Sequence, residues 1–87
     1  MKPESQTDTE LENLLNQLKL FSETNGPSHE ETATCHYRLG LYYINHGNAM
    51  EAMSHLGDAL YIRRKYYTED SLRIREIYYA LEQCTFM

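Results

Sequence analysis

The residues of this sequence that are best suited to chemistry are its histidines and cysteines. His29, Cys35 and His36 lie within the stretch GPSHEETATCHYRLG, beside the neighbouring carboxylates Glu30 and Glu31. A cysteine and a histidine can form a nucleophile and its base, two carboxylates can act as acid and base, and histidine and cysteine can bind zinc. Each of these chemistries requires a particular spacing.

The spacing favours none of the three. Cys35 and His36 are adjacent, and adjacent side chains on a helix point about 100° apart, so they cannot bond to each other. Glu30 and Glu31 at an exposed helix start share one environment, which would not separate their pKa values. The candidate zinc ligands show neither C-x-x-C nor H-x-x-x-H spacing; they are His29, Cys35, His36, His46, His55 and Cys84. We therefore expect no catalytic residue, metal or cofactor.

Tyrosine is a more informative residue in this chain. Eight tyrosines occur with two phenylalanines and no tryptophan. Tyrosine carries a large apolar ring and a polar hydroxyl, and it is common both in protein interfaces and in small cores. The tyrosines are therefore candidates both for the core and for a partner-binding surface.

The length and the charge of the chain argue against further classes of function. A chain of 87 residues buries only roughly 60 to 65% of its unfolded surface, which leaves little room for a deep enzymatic cleft. The net charge of −5 does not resemble a nucleic-acid footprint. The first residues lack the apolar core of a signal peptide, and two distant cysteines suggest reduced thiols. We expect a cytoplasmic protein that binds neither nucleic acid nor membrane.

Capping signals divide the chain into helices. Thr9 with Glu12, Ser28 with Glu31, and Asn48 with Glu51 each resemble a capping box, and Gly26 and Gly47 suit the residue after a helix end. Apolar residues at helical spacing follow each cap and recur after residue 71, and no alternating strand pattern occurs. The sequence predicts an all-α fold of about four helices, with a frayed N-terminus at residues 1–8 and a single domain at residues 9–87.

The predicted helices have distinct faces. The second carries apolar residues on two faces and is expected to be central, with His36 packed towards the third helix and Cys35 as a small buried residue. Ala52 and Ala59 should allow the third helix to approach closely. The basic cluster at residues 63–65 is interpreted as a solvated helix end in preference to a patch for an anionic partner.

An offset of 42 residues aligns the sequence with itself, pairing for example Leu14 with Leu56 and Tyr37 with Tyr79. The central copy resembles the tetratricopeptide repeat, and its matching residues are Leu39, Gly40, Tyr43, Gly47, Ala52, Leu56, Ala59 and Leu60. The 42-residue spacing and the loop at residues 26–33 are similar to the kinesin-light-chain-like subclass. The resemblance implies a short solenoid of antiparallel helices, with one full repeat at residues 33–66 and half repeats at residues 9–23 and 72–87.

The resemblance also implies where a partner protein would lie. In that family the first helices of the repeats form a concave face that binds partner segments. The equivalent positions here are Thr34, Tyr37, Arg38, Leu41, Ile44, Asn45, Glu76, Tyr79, Ala80 and Gln83. Tyr37, Leu41 and Tyr79 are expected to anchor the partner, and one arginine and one glutamate, Arg38 and Glu76, are expected to orient it. The lysines and asparagines that clamp a C-terminal carboxylate in some family members do not occur here.

Two functions follow as expectations. The first is a non-enzymatic adaptor that binds a protein or peptide segment in this concave face. The alternative is a structural subunit that self-associates, because about three stacked units are usually needed for a stable solenoid. In that case Phe86 and Met87 of one chain would meet Leu11 and Leu15 of another.

Overall fold

The structure, a computed structural model, describes residues 9–87 and consists of four helices. They are α1 (Thr9–Thr24), α2 (Glu30–Asn45), α3 (Ala49–Arg63) and α4 (Leu72–Thr85). No strand occurs in this range, so the predicted all-α fold of about four helices is confirmed. The predicted frayed segment, residues 1–8, lies outside the described residues. None of the four helices has the length and apolar character needed to cross a bilayer.

The central helix of the fold is α2. Each helix packs on the next along the chain, and α2 also contacts α4; within residues 9–87, α1 contacts neither α3 nor α4. A three-residue connection at residues 46–48 folds α2 and α3 into a helical hairpin. The prediction that the second helix packs against more than one neighbour is confirmed.

The turn between α2 and α3 follows the sequence signals. Gly47 has a positive φ of 73°, a conformation that a residue without a Cβ adopts without strain. The side chain of Asn48 accepts a hydrogen bond from the backbone N–H of Glu51 at 3.2 Å, which satisfies one of the free donors at the start of α3. Both predicted roles are confirmed.

The start of α2 differs from the prediction that Ser28 and Glu31 cap it. His29 is the N-cap, and its Nδ1 accepts a hydrogen bond from the N–H of Glu31 at 3.1 Å. Ser28 instead contacts the end of α3, where Lys65 Nζ donates to its hydroxyl at 3.3 Å and the Tyr66 hydroxyl donates to its carbonyl at 3.1 Å. These tertiary contacts hold Ser28 outside the helix, so α2 begins one residue later than expected.

The contact between α2 and α3 is very close. A Cβ added at Gly40 would lie 2.6 Å from both Cγ and Cδ2 of Leu56 and 3.5 Å from the carbonyl oxygen of Ala52. Ala52, Leu56 and Ala59 are fully buried on the facing side of α3. The glycine therefore allows the Leu56 side chain to lie directly against the backbone of α2.

The opposite side of α2 packs on α1. Leu39 and Tyr42 are buried there with Leu14. Tyr42 is the deeply buried tyrosine of α2, and the half-buried Tyr43 packs against the core on both sides of the helix. Tyr78 is 37% exposed, because its hydroxyl bonds to the polar residues between α3 and α4.

Substitution of Gly40 by alanine tests the importance of the close contact. Overpacking a core costs about 1–3 kcal/mol, and the better helix propensity of alanine returns about 1 kcal/mol. We expect Gly40→Ala to lower the free energy of unfolding by up to about 2 kcal/mol in urea denaturation. Gly57→Ala is the matched control, because nothing lies within 4 Å of a Cβ at this position in α3. It should be neutral or stabilise by up to about 1 kcal/mol; equal effects of both variants would contradict the assignment.

Candidate functional site

A groove of about 460 Å³ lies between α2 and α4. Its lining consists of eight of the ten residues predicted for the concave face: Tyr37, Leu41, Ile44, Asn45, Glu76, Tyr79, Ala80 and Gln83. The α2 residues are spaced by four, three and one positions, and the α4 residues by three, one and three, so each set occupies one helical face. The two faces form one groove because α2 and α4 contact each other.

The structure places Thr34 and Arg38 outside this groove. Both line a separate depression with Phe21, Glu31 and Cys35. Phe21 belongs to α1, so Arg38 lies on a side of α2 that is close to α1 and away from the groove. The expected orienting role of Arg38 in the groove is therefore not supported by its position.

The two tyrosines of the groove occupy different environments. Tyr79 is 71% exposed. Tyr37 is half-buried, and the Arg63 guanidinium lies 5.0 Å from the centroid of its ring, within the range of a cation–π contact. Burial, followed by the charge of Glu76, raises the pKa of Tyr37 against the opposing effect of Arg63. Tyr79 is the accessible aromatic ring, and Tyr37 forms part of the groove wall.

Arg63 corrects the interpretation of the basic cluster as a solvated helix end. Its side chain is 2% exposed. Nη1 donates to Glu76 Oε2 at 2.6 Å and to the carbonyl oxygen of Arg73 at 2.9 Å. Arg63 thus joins the end of α3 to α4 beneath the groove, and the Glu76 carboxylate expected to orient a partner is already paired.

A sequence signal for Arg63 was present. The buried residues Ala52, Leu56 and Ala59 lie at helical spacing, and four residues further on the same row reaches Arg63. A long arginine side chain can pack along an apolar surface and hold its charged end against a carboxylate. The helical spacing thus indicates that residue 63 is buried, whereas an arginine is usually expected at the surface.

The neighbouring Arg64 agrees better with the prediction of a solvated helix end, since half of its side chain is exposed. Its Nε donates to Glu69 Oε2 at 3.0 Å, and its Nη2 donates to the Tyr78 hydroxyl at 2.6 Å. Tyr78 in turn donates to Glu69 Oε1 at 2.9 Å. This network holds the loop between α3 and α4 in place.

Two of the six candidate zinc ligands, His36 and His55, lie close together in the structure. His36 Nδ1 lies 3.1 Å from His55 Nδ1 and 3.9 Å from Asp58 Oδ2. This contact confirms that His36 packs towards the third helix. Asp58 was missed by the sequence interpretation, although it follows His55 by three residues and therefore shares its helical face.

The remaining candidate ligands lie elsewhere. His29 caps α2, and the ring of His46 stacks on Tyr42 with 3.9 Å between centroids. Cys35 and Cys84 are buried free thiols. Burial is the main cause that raises the pKa of both, so neither is an activated nucleophile.

The groove is lined mainly by apolar and amide side chains. Its walls are the side chains of Leu41, Ile44 and Tyr79, and the amides of Asn45 and Gln83 are polar groups on the same faces. Comparison of the chain with models of protein families, with curated proteins and with solved structures finds no match. The geometry of the groove is therefore the basis for assigning a function.

Removal of Arg63 tests whether it holds α3 to α4. Arg63→Ala would leave Glu76 without its nearest cation and the Arg73 carbonyl without its donor. We expect the free energy of unfolding to fall by about 3 kcal/mol, the lower end for a broken buried ion pair, because Glu76 is partly exposed. Urea denaturation measures the change. Arg64→Ala, at the adjacent exposed arginine, is the control and should shift the midpoint much less; a larger effect at residue 64 would refute this role of Arg63.

Proposed function

We propose that this chain is a non-enzymatic protein-binding module whose groove between α2 and α4 holds a segment of a partner protein. The observation that carries the proposal is the convergence of two helices, separated along the chain by α3, on one groove with apolar and aromatic walls. Interfaces of this kind are typically anchored by tyrosine and by aliphatic side chains in a concave site.

The chemistry of the groove defines the segment that it would accept. Leu41, Ile44 and Tyr79 suit apolar side chains, and the amides of Asn45 and Gln83 can bond to an exposed peptide backbone. Glu76 adds little charge because Arg63 is bound to it. The best occupant is thus a short apolar peptide segment with little net charge, in an extended or helical conformation.

We also propose that the helices form a short tetratricopeptide-like solenoid of the kinesin-light-chain-like kind. The close packing at Gly40, Ala52 and Ala59 supports this assignment, as does the contact between α2 and α4, the two helices that correspond to first helices of the repeat. An adaptor of the cytoplasm is the corresponding biological role, and the two free thiols are compatible with a reducing compartment.

Exposed apolar side chains favour a second candidate function, self-association. Phe86 is 88% exposed and Met87 50%, while Leu15 on α1 is 42% exposed. Leu11, the other predicted contact, is half-buried against α2. Two chains that joined the end of one to the start of the next would cover these residues and continue the helical array.

A matched pair of tyrosine variants tests the partner groove. Peptides selected from a random display library against the wild-type chain provide the ligand. We expect Tyr79→Ala to weaken their binding at least about tenfold, the loss typical of an aromatic anchor, as measured by fluorescence polarisation. Tyr61→Ala removes a comparably exposed tyrosine from α3, outside the groove, and should leave the affinity unchanged. Equal losses, or none at residue 79, would contradict the groove assignment.

Sedimentation equilibrium distinguishes the two candidate functions. A module that binds a partner in the groove should be monomeric at micromolar concentration, since its groove does not require a second copy. Self-association predicts a dimer or longer array whose mass rises with concentration and falls on Phe86→Ser substitution. That result would replace the first function by the second.

A further inference from the structure

A cluster of three side chains on the α2–α3 hairpin lies outside the groove and plays no part in the function proposed above. His36 comes from α2, and His55 and Asp58 come from α3; each offers one atom that can bind a metal ion, and these atoms all lie within 4.8 Å of one another. We propose that His36, His55 and Asp58 form a binding site for a divalent transition-metal ion of the zinc class.

The distances suit a tetrahedral site. Zn–N bonds of 2.0–2.1 Å in a tetrahedron place two ligand nitrogens about 3.3 Å apart, and the two Nδ1 atoms are 3.1 Å apart. Asp58 Oδ2 is 3.9 Å from His36 Nδ1. The three ligand atoms lie within 4.8 Å of one another, so the carboxylate would have to move closer to both imidazoles, and the 61% exposure of the Asp58 side chain leaves room for that rotation.

The helical framework holds these ligands in place. His36 lies one turn before Gly40 on α2, and His55 is adjacent to Leu56 on α3, so the close Gly40–Leu56 contact sets the separation of the two imidazoles. His55 and Asp58 share a face because they are three residues apart. The ring of Tyr43 lies parallel to that of His55, with 5.7 Å between centroids, and limits the space for rotation of His55.

The surroundings favour the form of histidine that binds a metal. Burial lowers the pKa of His36, with Asp58 opposing this effect and the neighbouring His55 adding to it. Burial also lowers the pKa of His55, against the opposing charges of Glu51 and Asp58. A lower pKa favours the neutral imidazole, which is the form that binds a metal.

A second carboxylate lies near His55. Glu51 Oε1 is 4.0 Å from His55 Nε2, the ring nitrogen remote from His36. This distance is too long for a hydrogen bond, so the carboxylate acts on the imidazole only through its charge.

The donor set defines the class of ion. Two imidazole nitrogens and one carboxylate oxygen suit zinc and neighbouring transition metals, whereas Mg²⁺ and Ca²⁺ prefer oxygen ligands. Three protein ligands leave one tetrahedral position for water. A bound ion would link α2 to α3 and stabilise the hairpin, since a ligand that binds the folded state shifts unfolding.

Calorimetric titration of the metal-stripped chain with Zn²⁺ tests the proposal, with a phosphine reductant keeping the thiols reduced at neutral pH. We expect one Zn²⁺ per chain, a higher thermal unfolding midpoint, and no heat with Mg²⁺. Asp58→Asn and His55→Gln should each weaken Zn²⁺ binding at least about tenfold, since even outer-shell partners contribute that much. The exposed Asp58 can be changed without loss of packing, so its variant tests the site even if His55→Gln unfolds.

His29→Asn is the matched control, because asparagine keeps the capping acceptor of α2 while removing a histidine that lies outside the cluster. It should bind Zn²⁺ as the wild type does. Unchanged affinity in Asp58→Asn, a loss in His29→Asn equal to that in Asp58→Asn, or no binding by the wild type would overturn the proposal. A thiolate-to-metal charge-transfer band with Co²⁺ would also do so, since it would assign the ion to Cys35 or Cys84.

Discussion

The absence of a side chain at Gly40 is the constraint on which the rest of the structure depends. Leu56 lies where a Cβ of residue 40 would be, so the backbone of α2 and the buried face of α3 meet directly. Because α4 packs on α3, this contact also positions α4 relative to α2. The groove and the histidine cluster both follow from the separation that it sets.

The central position of α2 gives each of its faces a separate role. Leu39 and Tyr42 pack on α1, and Gly40 and His36 face α3. Leu41 and Ile44 line the groove opposite α4. A helix turns by about 100° per residue, so neighbouring residues in the sequence contribute to different surfaces. This division explains how a helix of 16 residues can serve the core, a candidate partner groove and a candidate metal site together.

Sequence periodicity predicted the faces better than it predicted the partners of individual side chains. Helical spacing placed Ala52 and Ala59 at a close contact between helices, and the resemblance to the tetratricopeptide repeat grouped the α2 and α4 residues that line the groove. Local capping signals could not show that Ser28 contacts Lys65 and Tyr66, which are distant in sequence. The offset of 42 residues made Tyr37 and Tyr79 equivalent, but Arg63 packs only against the ring of Tyr37. Arg63 was missed because charged residues are most often at the surface, and Asp58 was missed because its distance from His36 depends on how α2 and α3 pack.

Amide chemical shifts, recorded while a library-selected peptide is titrated into the labelled chain, show directly whether the groove between α2 and α4 holds the partner segment. We expect the largest shift changes to fall on both helices together, at Leu41, Asn45, Tyr79 and Gln83, with little change on the outer faces of α1 and α3. Changes confined to the exposed ends, around Leu15 and Phe86, would contradict the assignment of the groove as the partner site.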